Sequence, residues 1–145
     1  MDAIDEQILD ILRTQARMSV RDIAAAVGLT AGPVSRRIAK LESSGVIRGY
    51  YASIDEAQVG SLEAFTEIRL DGTTETGELE KLVRELPEAQ QYFTIAGDPD
   101  VLIHFRVRDV DHLQRVVNGM RRTGKVAGTK TLIVMASWQR RGPDL

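Results

Sequence analysis

Apolar residues recur at helical spacing over the first 44 positions of the chain, and beyond position 62 helical stretches are interleaved with strictly alternating ones. Ile4, Ile8, Leu9, Ile11 and Leu12 share one stripe of a helix over 2–13, with Asp2, Asp5 and Glu6 in its first turn and Arg13 at its end, where the helix dipole favours them. Ser19 followed by Asp22 has the spacing of a capping box, with Asp where Glu or Gln is preferred. It opens a short helix through Ile23, Ala24 and Val27 that Gly28 stops. Thr30 stands where it would cap a second helix, and Pro33 falls in that helix's first turn, where a missing N–H costs little. Val34, Ile38 and Leu41 recur at i, i+4 and i+7 as its inward stripe, and Gly45 ends it. Val46–Ile54 reads as a short β-ribbon bent at Gly49, a wing beside the helices.

Residues 55–62 are polar and contain Gly, the texture of a linker. After them the pattern predicts a strand at 64–70, a helix at 78–86 stopped by Pro87, and a strand at 90–96. A turn at 97–100, a strand at 101–107, a helix at 109–122 and a long strand at 126–138 complete the set. The order β-α-β-β-α-β is the split βαβ, ferredoxin-like unit. The fold class is therefore α+β, with a winged helix-turn-helix over 1–54, a linker over 55–62 and a ferredoxin-like domain over 63–145. An open antiparallel sheet with helices on one face leaves the other needing cover, and self-association supplies it most simply.

Composition narrows the class. With 43% hydrophobic and 28% charged residues the chain has the make-up of a soluble globular protein. No apolar run approaches the roughly 20 residues that span a bilayer, and the acidic start MDAIDEQILDIL is unlike a secretory signal. The absence of cysteine excludes disulfides and thiolate metal sites, and the expected compartment is the cytoplasm. The net charge of −2 is unevenly spread: Arg13–Tyr50 carries +5 and the remainder −7. On charge alone, a solvated basic face and a nucleic-acid footprint have equal claim.

Pattern and charge together favour the footprint. With Val34, Ile38 and Leu41 turned inward, Gly32, Arg36 and Lys40 point away, flanked by Ser35 and Arg37. The candidate DNA-facing set is Thr30, Gly32, Ser35, Arg36, Arg37 and Lys40, with Arg48 of the wing as a backbone contact. A structural three-helix bundle with a charged face is the competing reading. The glycine turn, caps, inward stripe and outward bases agree with one another, which favours DNA. Gly97-Asp98-Pro99-Asp100, by its chemistry alone, reads first as an ordinary hairpin turn. His104 on a strand and His112 on an exposed helix turn are the two histidines, and neither has a second ligand at metal spacing. Phosphate-binding glycine loops and a Ser/His/Asp arrangement are missing, so no metal, cofactor or catalytic residue is expected. Met18, Met120 and Met135 read as core filler, and Trp138 as a core or interface aromatic.

Ile4–Leu9, Val27–Thr30, Val34–Ile38, Leu41–Tyr50, Gly97–Asp100 and Thr129–Thr131, taken as an ordered set, resemble the leucine-responsive/asparagine-responsive (Lrp/AsnC) transcription regulators. That resemblance implies dimers paired through their sheets, often assembled as a tetramer of dimers, on a pseudo-palindromic double-stranded operator. It also implies a small-molecule effector, an amino acid, bound between dimers. Carried over residue by residue, the effector set is Gly97, Asp98 and Asp100, with hydroxyls from Thr129 and Thr131. A glycine turn exposes N–H groups to an α-carboxylate, and an aspartate can take the α-ammonium. Pro99 departs from the family, which has an aromatic or other large side chain there. Two alternatives share the architecture: a siroheme-decarboxylase-like enzyme using His104 and arginines, and a ligand-binding oligomer without DNA function.

Overall fold

The computed structural model describes residues 1–138. The chain divides into two compact units, one built on Met1–Ser53 and the other on Ile54–Ser137.

The first unit holds three helices: α1 (Ala3–Thr14), α2 (Val20–Ala26) and α3 (Ala31–Ser43). A full capping box starts α1, with the Asp5 N–H donating to Asp2 Oδ1 at 2.9 Å and the Asp2 N–H to Asp5 Oδ2 at 3.0 Å. At α2 the Asp22 N–H donates to Ser19 Oγ, but the return contact runs between side chains, from Ser19 Oγ to Asp22 Oδ2 at 2.6 Å. Gly28 takes φ +70° in the turn between α2 and α3, a conformation that a side chain would strain. Thr30 occupies the N-cap position of α3 with extended backbone, yet its hydroxyl makes no capping bond. Ile8, Ile23, Ala24, Val34 and Leu41 form the buried centre, ringed by Ile4, Leu12, Val27 and Ile38. Burying each large aliphatic side chain contributes about 1.5–3 kcal/mol.

The expected ribbon at 46–54 does not form. Ile47 packs on the helical core and donates its N–H to Leu41 O, Tyr50 Oη donates to Glu42 Oε1, and the segment runs on without strand pairing. A ribbon needs a second strand, and none of the described residues supplies one there.

The second unit follows the expected order: β1 (Leu62–Leu70), α4 (Thr76–Arg84), β2 (Ala89–Thr94), β3 (Val101–Val107), α5 (Val110–Arg121) and β4 (Val126–Ile133). The strands lie in the order β2-β3-β1-β4, each antiparallel to its neighbour. Alternation along β1 and β3 sends Ala64, Ile68, Val101, Ile103, Phe105 and Val107 to one face, where Leu79 and Val83 of α4 and Leu113 and Met120 of α5 cover them. Residues 55–61 form hydrogen-bonded turns, and Glu56 in them meets Arg106 at 3.0 Å. β4 stops at Ile133, short of the expected end at 138; Met135 stands 92% exposed rather than filling a core, and of the two readings of Trp138 its 77% exposure excludes the core one. No helix among the described residues is long and apolar enough to cross a membrane.

Candidate functional site

Two places carry the polar residues singled out by the sequence. The first is the outer face of α3. Val34 and Leu41 are buried and Ile38 half-buried, so Gly32, Ser35, Arg36 and Lys40 are turned to solvent, with Thr30 and Arg48 exposed nearby in the chain. Arg36 and Lys40 make no ion pair among the described residues. The Arg36 guanidinium lies along the first turn of α3, its Nη1 3.7 Å from where a Cβ on Gly32 would stand, an ordinary contact distance.

Arg37 differs from its neighbours. Its Nη1 lies 2.7 Å from both Asp2 Oδ2 and Asp5 Oδ1, which turns it toward the start of α1 rather than outward. Both carboxyls sit below their ordinary range, each held down first by a backbone N–H of the capping box and then by Arg37. The guanidinium is raised in turn, chiefly by Asp5. Sequence spacing placed Arg37 on the flank of the DNA face. The structure makes it the clasp between α1 and α3. Asp2 and Asp5 were legible as acids at the start of α1, but not as the partners of a residue on α3.

The second place is the turn after β2. Gly97 adopts φ +142° and the Asp98–Pro99 peptide is cis. Asp100 is a structural tie: its Oδ2 accepts the Leu70 N–H at 2.8 Å and its own N–H donates to Ile68 O. Asp98 is exposed and chelated by Arg69, Nε at 2.8 Å and Nη2 at 2.6 Å, which holds its carboxyl below the usual range. Arg69 was missed by sequence reasoning: its outward position on an alternating strand was legible, but its partner Asp98, 29 residues on, was not.

The two threonines do not join this turn within one chain. Thr129 pairs in register with Ile68, and Ile68 with Val101, so β1 separates Thr129 from the turn by two strand spacings, roughly 10 Å. Thr131 lies two residues further along on the helix-covered side, its Oγ1 3.1 Å from Oγ1 of the fully buried Thr66.

The histidines are both engaged. His104 lies on the helix-free face of the sheet, stacked on Phe65 with ring centroids 4.8 Å apart, its Nε2 2.9 Å from Glu63 Oε1. His112, expected on an exposed turn, is only 19% exposed and meets Glu88 Oε1 at 2.9 Å. The arginine on the strand beside His104 pairs with Glu56 instead. Among the described residues no group of three or more His, Cys, Asp or Glu side chains is arranged to hold a metal.

Known proteins match both units. The family described as the AsnC-type helix-turn-helix domain matches residues 1–42, and the Lrp/AsnC ligand binding domain matches residues 63–144. The proline dehydrogenase transcriptional activator of Rhodobacter capsulatus is 32% identical over 139 residues, covering 93% of this chain and 90% of that protein. An AsnC family transcriptional regulator from Agrobacterium tumefaciens, known from its crystal structure, superposes with a TM-score of 0.82 at 28% identity, covering 100% of this chain and 97% of that one. A transcriptional regulator from Neisseria meningitidis, solved as a complex with L-Met, shares the fold: TM-score 0.83, 24% identity, 97% and 94% coverage.

Proposed function

The chain belongs to the Lrp/AsnC family of transcriptional regulators, and from that footing we propose that a dimer of it grips a pseudo-palindromic operator through the outer face of α3 while an amino acid at the Gly97–Asp100 turn sets its assembly. It is a DNA-binding transcription regulator with a ligand-binding second domain. The observation that carries the DNA half of the proposal is Arg36 and Lys40, exposed and without an ion pair among the described residues, opposite the buried Val34 and Leu41. Cations in this arrangement release counterions from the phosphate backbone on binding. Thr30, whose hydroxyl is not spent on capping, adds a donor at the helix start, where phosphate is favoured.

The effector half rests on the chemistry of the turn. Asp98 and Arg69 form an exposed ion pair of the kind that contributes little and opens easily. A zwitterion inserted there would offer its ammonium to Asp98 and its carboxylate to Arg69. The Neisseria protein of the same fold was solved with L-Met, which supports an amino acid of that kind. Thr129 and Thr131, being out of reach of the turn in one chain, would contribute from a neighbouring copy.

A fluorescence-anisotropy titration of wild type and Arg36→Ala on operator DNA across a salt series tests the DNA half. Unchanged affinity and salt slope in the variant would sink it. A thermal-shift screen of the twenty amino acids, repeated on Asp98→Asn, tests the effector half; it fails if no amino acid raises the midpoint or if the variant responds as wild type does.

A further inference from the structure

A cleft of about 450 Å³ runs between α5 and the β4 edge of the sheet, away from the Gly97–Asp100 turn. Its floor is apolar: Val110, Leu113 and Val117 from α5 and Ile133 from β4. Two of these are left largely open, Val110 at 52% and Ile133 at 41% exposure. Along its rim stand Gln114, Asn118 and Arg121, at i, i+4 and i+7 on one row of α5. None of the three side chains has a hydrogen bond or ion pair among the described residues, so their donors are unspent. No carboxylate among the described residues lines the cleft.

That combination selects a ligand. Volumes of roughly 300–1,000 Å³ with an apolar lining and a few convergent polar groups are those of small-molecule sites. A guanidinium flanked by two amides binds a planar carboxylate as a forked pair. The apolar floor takes a short aliphatic body. An ammonium would meet Arg121 with no anion to receive it, so an α-amino acid is disfavoured here, the reverse of the turn, where Asp98 waits. We propose that the α5–β4 cleft is a second, separate binding site for a short aliphatic monocarboxylate that lacks an amino group. Thr131 of β4 also lines the cleft and is the one residue shared with the effector set carried over from the family; it brings no charge, so the proposal stands without the amino-acid reading of the turn.

The test uses the full chain and three probes of one carbon skeleton: 4-methylpentanoate, 4-methyl-2-oxopentanoate and L-leucine. Calorimetry is paired with amide chemical-shift mapping. Either or both of the two amino-free acids should bind and move the amides of Asn118, Arg121 and Ile133, with L-leucine leaving those amides still. Arg121→Gln should weaken that binding about tenfold or more, Arg121→Lys should weaken it less, and Asp98→Asn should leave it unchanged. Arg121 is exposed, so neither of its variants threatens the fold. The proposal is overturned if neither amino-free acid binds, if Arg121→Gln binds as wild type does, or if L-leucine moves the same amides equally. It is also overturned if the shifts map to residues 97–100, or if Ile133→Ser changes the oligomeric state while none of the probes binds, which would mean the cleft is covered by a second copy. L-leucine binding that persists in Asp98→Asn with the carboxylate response intact is failure at the turn alone; loss of the carboxylate response with L-leucine binding intact is failure here.

Discussion

Arg37 Nη1 lies 2.7 Å from Asp5 Oδ1, and the same nitrogen lies 2.7 Å from Asp2 Oδ2, so the capping box that starts α1 also anchors α3. Two adjacent arginines on one helix therefore have different work. Arg36→Ala should weaken DNA binding and flatten the log–log salt slope by about one, with the unfolding midpoint unchanged. Arg37→Ala should lower the midpoint by a few degrees and weaken DNA binding only through the looser helix. Thermal unfolding and salt-dependent anisotropy on both variants separate the two effects.

The clasp also has a pH signature. Asp2 and Asp5 are both lowered from an ordinary value of 3.8 by their capping hydrogen bonds and by Arg37. A carboxyl lowered on folding contributes stability that is present above its unfolded value and is lost as pH falls through the folded one. Stability of the first unit should hold down to about pH 4 and decline below it. In Arg37→Ala that decline should be shallower, since one of its causes has gone. Urea unfolding at a series of acidic pH values, followed by a probe in the first unit, checks it.

Much of this was legible in the residues, and the misses share a cause. Alternation along 64–70 and 101–107 predicted β1 and β3 within two residues, because burial against α4 and α5 enforces period two on both. The buried stripe of α3 was equally plain, and with it the exposed set around Arg36. Partners distant in sequence were not legible: Arg37 with Asp2, Arg69 with Asp98, and the Leu70 N–H with Asp100. Nothing local distinguishes a charge that will meet solvent from one that will meet another helix. The ribbon over 46–54 failed for the same reason, since an extended segment shows its own pattern but not whether a partner strand lies beside it. At β4, Met135 and Trp138 continued an apolar texture past the last residue that β1 could pair.

Asp100 marks a limit on how the turn can be probed. Its carboxylate accepts a half-buried backbone N–H from Leu70, so Asp100→Ala removes a hydrogen bond to a charged group and strands a donor. The expected cost is about 1–3 kcal/mol, seen as a lowered urea midpoint with the slope unchanged. Asp98→Asn, which breaks only an exposed ion pair, should leave stability as it is. Equal stability losses in the two variants would contradict the division of roles.

Tyr92 reports on the second unit. Burial pushes its phenol up to about 12, and its Oη donates to Thr76 O at 2.7 Å. A phenol raised on folding contributes stability that is complete below its unfolded value near 10 and is lost as pH rises through the folded one. Tyrosinate absorbance should therefore show one residue, absent in Tyr92→Phe, that ionises only near pH 12 or with unfolding. The Phe variant should lose about 1 kcal/mol at neutral pH.

The helix-free face of the sheet gives the sharpest prediction about assembly. Glu63 meets His104 and Glu67 lies 3.5 Å from Lys130, so both carboxylates have a partner within the face. Phe65, Leu102 and Leu132 lie among them, and Leu132 is 45% exposed, an apolar cost that a second copy laid on the same face would remove. Leu132 supports no buried core, so Leu132→Asp should fold normally and yet place a charge inside the pairing surface. A buried, unpaired carboxylate at an interface is strongly unfavourable. Sedimentation velocity should show wild type as a dimer or larger and the variant as a monomer of 16.1 kDa. Because a two-fold operator needs two copies of α3, the monomer should also bind operator DNA at least about a hundredfold more weakly, with a salt slope near half. A variant that stays dimeric would show that the chain pairs through some other surface.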